Sequence, residues 1–520
     1  MTTSAKPGRL FIRKSVDHIQ AEAQSHGMKR TLGPLNLVFL GIGCIIGAGI
    51  YVMIGNAAAN FAGPAVILSF VIAGVACAFA GLCYAELSST MPVSGSSYTY
   101  AYATLGELFA WVMGWLLVLE YGTAAATVAV GFSGYTVNFL KDFGVVVPAA
   151  LSQPFIQSIP GPTGLQFVAT GGFNLVAALG IAAVGGLLLL GVSESAKVNN
   201  VIVFVKVTVL LAFIAFGAFH IMPDNWKPFI PENQGGFTYG PQGVFRAAST
   251  IFFAYLGFEA VSTAASEAKN PQRDMPIGII GSLIVCTVIY MAVAAVMTGV
   301  VPFRSLGVAN PIAVAVDAMN APALAFGIKV GSVAGLFSVM LILTYGQSRI
   351  FFAMSRDGLL PKLFSVLHPR FRTPWAGTIV LATLIALAAG LLPITILGDL
   401  VSLGTATAFG IVCFSVMWLR SARPDLKRPF SVPLGGIWIG KAWIGVVPVC
   451  GIIGALVMGV PVILDIAHKA VSGDPIPALL LGGYALLGAV IYMSYGLKHS
   501  RLANGEEVLL PPNAQLDPPV

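Results

Sequence analysis

The feature of the sequence best suited to hold a small ligand is a run of glycines in the first long apolar segment. It reads G-I-G-C-I-I-G-A-G-I-Y-V-M-I-G over residues 41–55. Each glycine inside a helix costs about 1 kcal/mol relative to alanine, so a broken helix is expected. In a membrane, unwound backbone persists only where it is buried in protein or lines a cavity. The alternative is that the glycines serve close packing between helices.

A second interrupted segment favours a ligand site over packing alone. The stretch F-F-A-Y-L-G-F-E at 252–259 places Gly257 and Glu259 in the middle of the sixth apolar run. The first and sixth runs cross in opposite directions, so equivalent five-run units would be related by inversion. Inverted repeats of this kind build a site near the middle of the membrane from paired broken helices.

Two facing helix breaks have a defined chemistry. Each break leaves N–H groups unpaired on one half-helix and carbonyl groups unpaired on the other. The N–H groups can bind a carboxylate and the carbonyls an ammonium, which together suit an α-amino acid. The expected donors are the N–H groups of Gly47, Ala48 and Gly49, and the expected acceptors are the carbonyls of Phe253, Ala254 and Leu256. Because Ala48 has no hydroxyl, the carboxylate must rely on backbone donors.

Three charged residues inside apolar runs are functional candidates, because a charge is expensive there. Lys206 lies about 12 Å into its run at 1.5 Å per residue; it either gains and loses a proton or forms a fixed clamp on carbonyls of the first break. Glu259 either contacts a ligand or pairs internally with Lys206. Glu120 has the same two roles open, ligand contact or an internal pair.

Enzymatic chemistry finds little support. The glycines read G-x-G-x-x-x-G rather than the dinucleotide fingerprint, and no P-loop, G-x-S-x-G or H-E-x-x-H motif occurs. The six histidines have no metal-ligand spacing, and all six cysteines fall in apolar runs with no disulfide or metal pattern. No catalytic residue, cofactor or metal is expected.

The composition is that of an integral membrane protein. Hydrophobic residues make up 57% and charged residues 9% of the chain, whereas globular domains have about 25% charged residues. Each of twelve apolar runs reaches roughly the 20 residues that cross a bilayer, which predicts an all-α protein with one membrane domain. The runs are 34–55, 62–88, 103–135, 168–191, 198–220, 242–265, 277–300, 325–353, 375–396, 399–419, 442–465 and 476–497. Between them, 91–102 is predicted to be a polar inner loop and 136–167 the first large outer loop.

Basic residues set the expected orientation, with both termini cytoplasmic. Of the 28 Lys and Arg residues, 21 fall on the inner side and 6 on the outer side, with Lys206 inside a run. The outer six are Lys141, Lys227, Arg246, Arg304, Lys329 and Lys469. This asymmetry accounts for the net charge of +7 without a nucleic-acid partner. The tail 1–33 is expected to be uncleaved, and residues 9–23 are expected to form either an interfacial helix or part of a disordered basic tail.

Five motifs in order resemble the amino acid–polyamine–organocation (APC) superfamily, and within it the cationic amino acid transporter family and its bacterial relatives. They are G-I-G-C-I-I-G-A-G-I-Y at 41–51, P-V-S-G-S-S-Y-T-Y at 92–100, F-F-A-Y-L-G-F-E-A-V-S-T at 252–263, N-P-Q-R-D-M-P-I-G-I at 270–279 and S-R-D-G-L-L-P at 355–361. The likeness covers roughly 30–500.

The resemblance implies a LeuT-type fold with helices 1 and 6 broken. Its parts would be a tail at 1–33, inverted five-helix repeats at 34–220 and 242–420, two extra helices at 442–497 and a tail at 498–520. It implies substrate contacts at Ile45, Gly47, Ala48, Gly49, Phe253, Ala254, Tyr255 and Leu256. Lys206 matches the fifth-helix lysine associated with proton coupling in sodium-independent members.

Two departures from the family pattern bear on the substrate. Many bacterial members have a threonine where this chain has Ala48, and Glu259 stands where aspartate is commoner. Leu343 and Thr344 are expected to border the pocket for the substrate side chain. A bulky Leu343 favours small or neutral side chains over arginine, although the family name points to cationic substrates.

The resulting hypothesis is a proton-coupled, sodium-independent amino acid transporter of the plasma or inner membrane that works by alternating access. Its partners would be an amino acid, protons and the lipid bilayer, with a small accessory subunit left open. The alternative within transport is a proton-independent exchanger or facilitator. Outside that class, a non-transporting amino acid sensor or a channel would need the same site.

Overall fold

The computed structural model describes residues 9–16, 32–47, 49–91, 96–161, 164–191, 196–264, 268–371 and 373–505. Most of these residues are helical. The main helices are α1 (Pro34–Ile45), α2 (49–62), α3 (Val66–Thr90), α4 (Ser96–Thr104), α5 (Glu107–Asp142), α6 (Leu175–Leu189), α7 (Ala196–Gly217), α8 (Gly240–Ile251), α9 (Phe258–Thr263), α10 (Pro271–Val300), α11 (Pro311–Ala318), α12 (Pro322–Arg356), α13 (Trp375–Leu391), α14 (Ile394–Ala422), α15 (Val446–Val471) and α16 (Ile476–His499).

Eight helical stretches in the described part of the chain are long and apolar enough to cross a membrane. They are α2 and α3 taken together, α5, α7, α10, α12, α14, α15 and α16. Helices α1, α6 and α13 are apolar but shorter, and the sixth apolar run is divided between α8 and α9. The chain is therefore a multi-pass helical membrane protein, while the count of twelve spans and the inverted repeat stay predictions.

The sequence predicted an inner loop at 91–102. This prediction is wrong from Ser96 onward, because helix α4 begins there. Three of its tyrosines, Tyr98, Tyr100 and Tyr102, are buried, so the segment packs as a helix although its sequence is polar. Gly106 follows with φ of 104°, a left-handed conformation that favours glycine. Residues 92–95 of the predicted loop lie outside the described part.

Two β-hairpins connect helices. In the predicted outer loop 136–167, α5 continues to Asp142, and β1 (Ile156–Gly161) then pairs antiparallel with β2 (Gly164–Ala169), Ile156 opposite Ala169. Between α14 and α15, β3 (Gly436–Ile439) pairs with β4 (Ala442–Gly445), Trp438 opposite Trp443. Of the tails, residues 1–8, 17–31 and 506–520 lie outside the described residues, so most of the predicted interfacial helix at 9–23 stays a prediction.

Two basic residues that the sequence assigned to outer loops are buried in helices. Arg246 is 0% exposed in α8, and its guanidinium lies 2.7 Å from a carboxylate oxygen of Asp399 and 2.9 Å from one of Asp465. Lys329 in α12 has its ammonium 2.8 Å from Asp142 and 2.9 Å from Asp317. Carboxylates on other helices neutralise both charges, and Asp399, Asp465 and Asp142 lie 153, 219 and 187 residues from their partners, so a charge count along the sequence does not show these pairs.

The two interrupted segments lie at the centre of the core. Every residue of α2 except Asn60 is buried, and so are all four residues of the turn Phe252–Tyr255. Helix α10 packs against α1 and α3, and α12 packs against α5 and α7. By contrast α15 and α16 lie at the periphery with most of their surface exposed. The fold thus surrounds the breaks with intact helices.

Candidate substrate-binding site

The first break lies within the glycine run. Helix α1 ends at Ile45, and Ile46 is extended (φ −71°, ψ 94°) while its N–H still donates to the carbonyl of Ile42 at 2.9 Å. The helix resumes at Gly49 with a π-helical turn. Ala48, a predicted carboxylate donor, lies outside the residues that the structure describes. The backbone around Gly47 therefore leaves the regular helical hydrogen-bond pattern, as a ligand-binding break requires.

The second break lies at Leu256–Gly257. Helix α8 tightens into the 3-10 turn Phe252–Tyr255, Leu256 is extended (ψ 135°), and Gly257 is left-handed with φ of 114°. A side chain is strained at that φ, so glycine is required. The N–H of Gly257 donates to a carboxylate oxygen of Glu259 at 2.8 Å, which caps the start of α9.

The two breaks touch each other directly. A Cβ placed on Gly49 would lie 2.2 Å from the Cα of Ala254, and one placed on Gly257 would lie 2.7 Å from the carbonyl carbon of Cys44. Other glycines of the run instead let helices approach closely, since a Cβ on Gly41 would meet Ser282 and one on Gly43 would meet Val203. Close packing therefore accounts for several glycines of the run, and the ligand site at the break stays a prediction.

Sequence reasoning missed Tyr290 of α10, which joins the two breaks. Its hydroxyl lies 2.8 Å from the carbonyl oxygen of Ile45 and 3.1 Å from that of Ala254, and it donates one hydrogen bond shared between them. The only available signal was that Tyr290 is the single tyrosine in the run 277–300. The Ala254 carbonyl, a predicted acceptor for a substrate ammonium, thus already has a donor beside it.

The side chain of Tyr255 supports the second break from behind. Its hydroxyl donates to the carbonyl of Phe70 in α3 at 2.8 Å, and its ring centroid lies 5.8 Å from that of Tyr290. The ring of Phe70 lies 5.4 Å from that of Tyr290. The hydroxyl of Tyr255, a predicted substrate contact, therefore hydrogen-bonds to α3, and the backbone of Tyr255 remains part of the break.

Lys206 of α7 is 1% exposed, and its side chain packs against α12. A Cβ placed on Gly335 of α12 would come within 3.1 Å of the Lys206 side chain, so glycine makes room for it. The hydroxyl of Tyr51 in α2 lies 3.5 Å from the backbone carbonyl of Lys206. Next to it, Val339 of α12 contacts Gly47 of the first break, 3.2 Å from a Cβ placed there. Lys206 thus lies in the wall formed by the first break and α12.

The two predicted carboxylates, Glu120 and Glu259, lie near each other. Glu259 accepts from Gly257 and from the hydroxyl of Tyr121 at 3.1 Å. Glu120 is 0% exposed in a π-helical turn of α5, and it is close enough to Glu259 for the two carboxyl groups to interact electrostatically. Among the described residues, neither oxygen of Glu120 has a hydrogen-bond partner. The pair of Glu259 with Lys206 stays a prediction.

The predicted pocket residues of α12 follow Val339 by one turn. Leu343 is 6% exposed and Thr344 is fully buried. Since Val339 contacts Gly47 and residues four apart share a helix face, Leu343 continues the same face as Val339. Among the described residues no group of three or more His, Cys, Asp or Glu side chains is arranged to hold a metal ion.

Two facing helix breaks inside a multi-pass helical bundle are typical of membrane transporters, and comparison with known proteins identifies the family. The sequence model of the family described as amino acid permease matches residues 32–486. The chain belongs to this family, in the APC superfamily, so the sequence resemblance is confirmed. It is a permease rather than an enzyme.

Three relatives illustrate the range of the family. The methylthioribose transporter of Bacillus subtilis is 46% identical over 82% of this chain and 88% of its own length. The branched-chain amino acid permease BcaP of the same species is 43% identical over 95% of this chain and 99% of its own. The vacuolar cationic amino acid transporter 4 of Arabidopsis thaliana is 38% identical over 80% of this chain and 68% of its own.

Proposed function

We propose that this chain takes up an amino acid by alternating access, driven by protons and independent of sodium. The observation that carries the proposal is the direct contact of the two helix breaks, Gly49 against Ala254. It brings the backbone of both breaks to one buried place, where the Phe253 carbonyl already accepts from the N–H of Leu256 at 3.0 Å and the Ala254 carbonyl from the hydroxyl of Tyr290 at 3.1 Å. An α-amino acid carries the carboxylate and the ammonium that such a place can bind.

The architecture of the proposal is a LeuT-type fold of about twelve spans. Residues 34–220 and 242–420 form two inverted five-helix repeats, 442–497 adds two helices, and both termini lie in the cytoplasm of a cell bounded by this membrane. The breaks then lie in helices 1 and 6 of the repeats. The predicted excess of basic residues on the inner side, 21 against 4 when the buried Arg246 and Lys329 are left out, supports this orientation.

In the proposed site the carboxylate binds at Gly47, Ala48 and Gly49, and the ammonium at the carbonyls of the second break. The side chain extends toward Leu343 of α12. Tyr290 donates to the carbonyl of Ala254, and because a carbonyl oxygen has two lone pairs, the ammonium shares this acceptor with the hydroxyl. Binding therefore changes the hydrogen bond that joins the two breaks, which gives the substrate a way to act on the conformation.

Lys206 is the proposed proton-coupling group. It lies in the wall shared by the first break and α12, where a change in its charge alters the contact between these two elements. A buried ammonium favours nearby carbonyls and hydroxyls, and its loss of a proton releases them. In this account the proton and the substrate act on the same break, which is what coupling requires.

A neutral, apolar amino acid is the proposed substrate. Val339 and Leu343 supply apolar surface beside the first break, and the BcaP relative, named a branched-chain amino acid permease, aligns over 95% of this chain. Methylthioribose is the second candidate, because a transporter named for it is 46% identical. That molecule has neither carboxylate nor ammonium, so it would use the breaks differently.

Purified protein in liposomes tests the proposal. Radiolabelled leucine, arginine and methylthioribose are offered separately, each with and without an inward acid gradient in sodium-free buffer. Leucine accumulation that depends on the gradient is the expected result. Flux accelerated only by internal leucine would indicate an exchanger, saturable binding without flux a sensor, and exclusive uptake of methylthioribose would overturn the amino acid assignment.

A further inference from the structure

The connection between α14 and α15 contains a hairpin in which strand β4 contacts the end of α14 and strand β3 exposes its side chains. The N–H of Trp443 in β4 donates to the hydroxyl of Ser421 at 2.8 Å, and the Arg420 guanidinium lies 4.1 Å from the Trp443 ring centroid. The N–H of Val446 donates to the carbonyl of Gly435 at 3.2 Å. Strand β4 is thereby held against the last turn of α14.

Strand β3 exposes large apolar side chains. Ile437 is 63% exposed, Trp438 53% and Ile439 59%, and Leu434 just before the strand is 72% exposed. These residues lie outside the helices that are long enough to cross the membrane. An apolar edge strand in water would invite aggregation, so this surface requires an occupant.

The position of the hairpin points to the lipid headgroups. The connection spans only residues 423–445, and both flanking helices are long enough to cross the membrane. A four-residue strand rises about 13 Å, so β3 stays near the bilayer surface. Tryptophan with apolar neighbours is the composition found at membrane–water interfaces.

The charges of the connection complement anionic lipid. Four basic residues and one acidic residue, Asp425, give 423–445 a net charge of +3. Arg428 lies 3.5 Å from Glu86 and Arg423 lies 3.4 Å from Asp425. Lys427 and Lys441 are exposed, the latter at the tip of the hairpin. Juxtamembrane lysines near a membrane surface attract anionic headgroups.

We propose that this hairpin is an interfacial anchor, with Ile437, Trp438 and Ile439 seated among the headgroups of an anionic leaflet and Lys441 on their phosphates. Since β4 is fixed to α14, the anchor holds the end of that helix at a set depth. The inference does not depend on which solute the permease carries.

Fluorescence quenching in lipid nanodiscs tests the anchor. The chain has seven tryptophans, so the emission of Trp438 is obtained as the difference between the native protein and Trp438→Phe, a variant that keeps an aromatic ring in the strand. Lipids brominated near the top of the acyl chain probe contact with the bilayer, and acrylamide in the buffer probes contact with water. Trp226→Phe, which removes a tryptophan hydrogen-bonded to Thr298, is the matched control.

The expected result is at least a twofold loss of the Trp438 emission with brominated lipid and little loss with acrylamide. Replacing anionic by zwitterionic lipid, or Lys427→Gln with Lys441→Gln, should reduce the lipid quenching at least twofold and leave the Trp226 signal unchanged. Quenching by acrylamide alone would place β3 in water. Protection from both quenchers would mean that protein, such as a second copy, covers the strand. Either outcome overturns the proposal.

Discussion

Gly49→Ala should separate the two helix breaks. The added Cβ would lie 2.2 Å from the Cα of Ala254, a backbone atom that cannot rotate away. Reaching ordinary contact at 3.4 Å requires the two segments to part by about 1.2 Å. Misplacement of a site by about 1 Å can cost about 100-fold in rate. We therefore expect the efficiency of transport, uptake rate over substrate concentration, to fall about 100-fold.

Alanine substitutions at two other glycines should reduce transport less than Gly49→Ala does. A Cβ on Gly47 lies 3.2 Å from a methyl group of Val339, which needs to move only a few tenths of an ångström, so Gly47→Ala should cost several-fold. A Cβ on Gly482 of α16 meets nothing within 4 Å, so Gly482→Ala should transport like the native protein.

The assay is initial uptake into liposomes containing equal amounts of each variant, with size-exclusion profile and melting temperature as checks on folding. A Gly49→Ala protein that folds and transports within about threefold of native would refute the direct contact of the breaks. So would a reversed order, with Gly47→Ala the most damaging of the three.

Three further predictions concern contacts that the sequence did not reveal or left open. Tyr290→Phe removes the hydroxyl between the carbonyls of the two breaks. Because leaving buried acceptors unsatisfied costs about 1–3 kcal/mol, uptake should slow about tenfold. Unchanged uptake would contradict the role of Tyr290 in joining the breaks. Asp399→Asn removes a carboxylate from buried Arg246 and should lower the free energy of unfolding by about 3 kcal/mol. Its control, Asp224→Asn, breaks an exposed pair with Lys227 and should change that free energy by less than about 0.5 kcal/mol. Equal melting temperatures for the two variants would be inconsistent with the buried pair. Glu259→Gln keeps an acceptor for the N–H of Gly257 and should bind substrate within about tenfold of native. Glu259→Ala should lose binding, because it leaves that buried N–H without an acceptor at a cost of about 1–3 kcal/mol. An equal loss of substrate affinity in both variants would show that the charge of Glu259 matters rather than its hydrogen bond to Gly257.

The helix breaks could be predicted from the sequence because the backbone at each break requires a glycine. Gly257 is left-handed and Gly49 lies against backbone, and both requirements are visible as glycines within an apolar run. The membrane class and the family followed equally from local composition and motifs. The interruption in each run could be placed to within a few residues.

The remaining features depend on contacts between residues far apart in the chain. Nothing around Tyr290 in the sequence shows that its hydroxyl reaches two carbonyls, one of them 245 residues away. Arg246 looked like an outer-loop charge because its partners, Asp399 and Asp465, lie 153 and 219 residues further on. Helix α4 looked like a loop because its burial comes from tertiary packing of tyrosines, which local polarity does not encode.

Proton-driven uptake by the native protein and by Lys206→Ala tests the central claim most directly. In sodium-free liposomes, an inward acid gradient should make the native protein accumulate a neutral branched-chain amino acid above equilibrium. Lys206→Ala should still exchange internal for external substrate and should lose the response to the gradient. Uptake that requires sodium in the native protein, or accumulation by Lys206→Ala that still follows the gradient, would contradict the account.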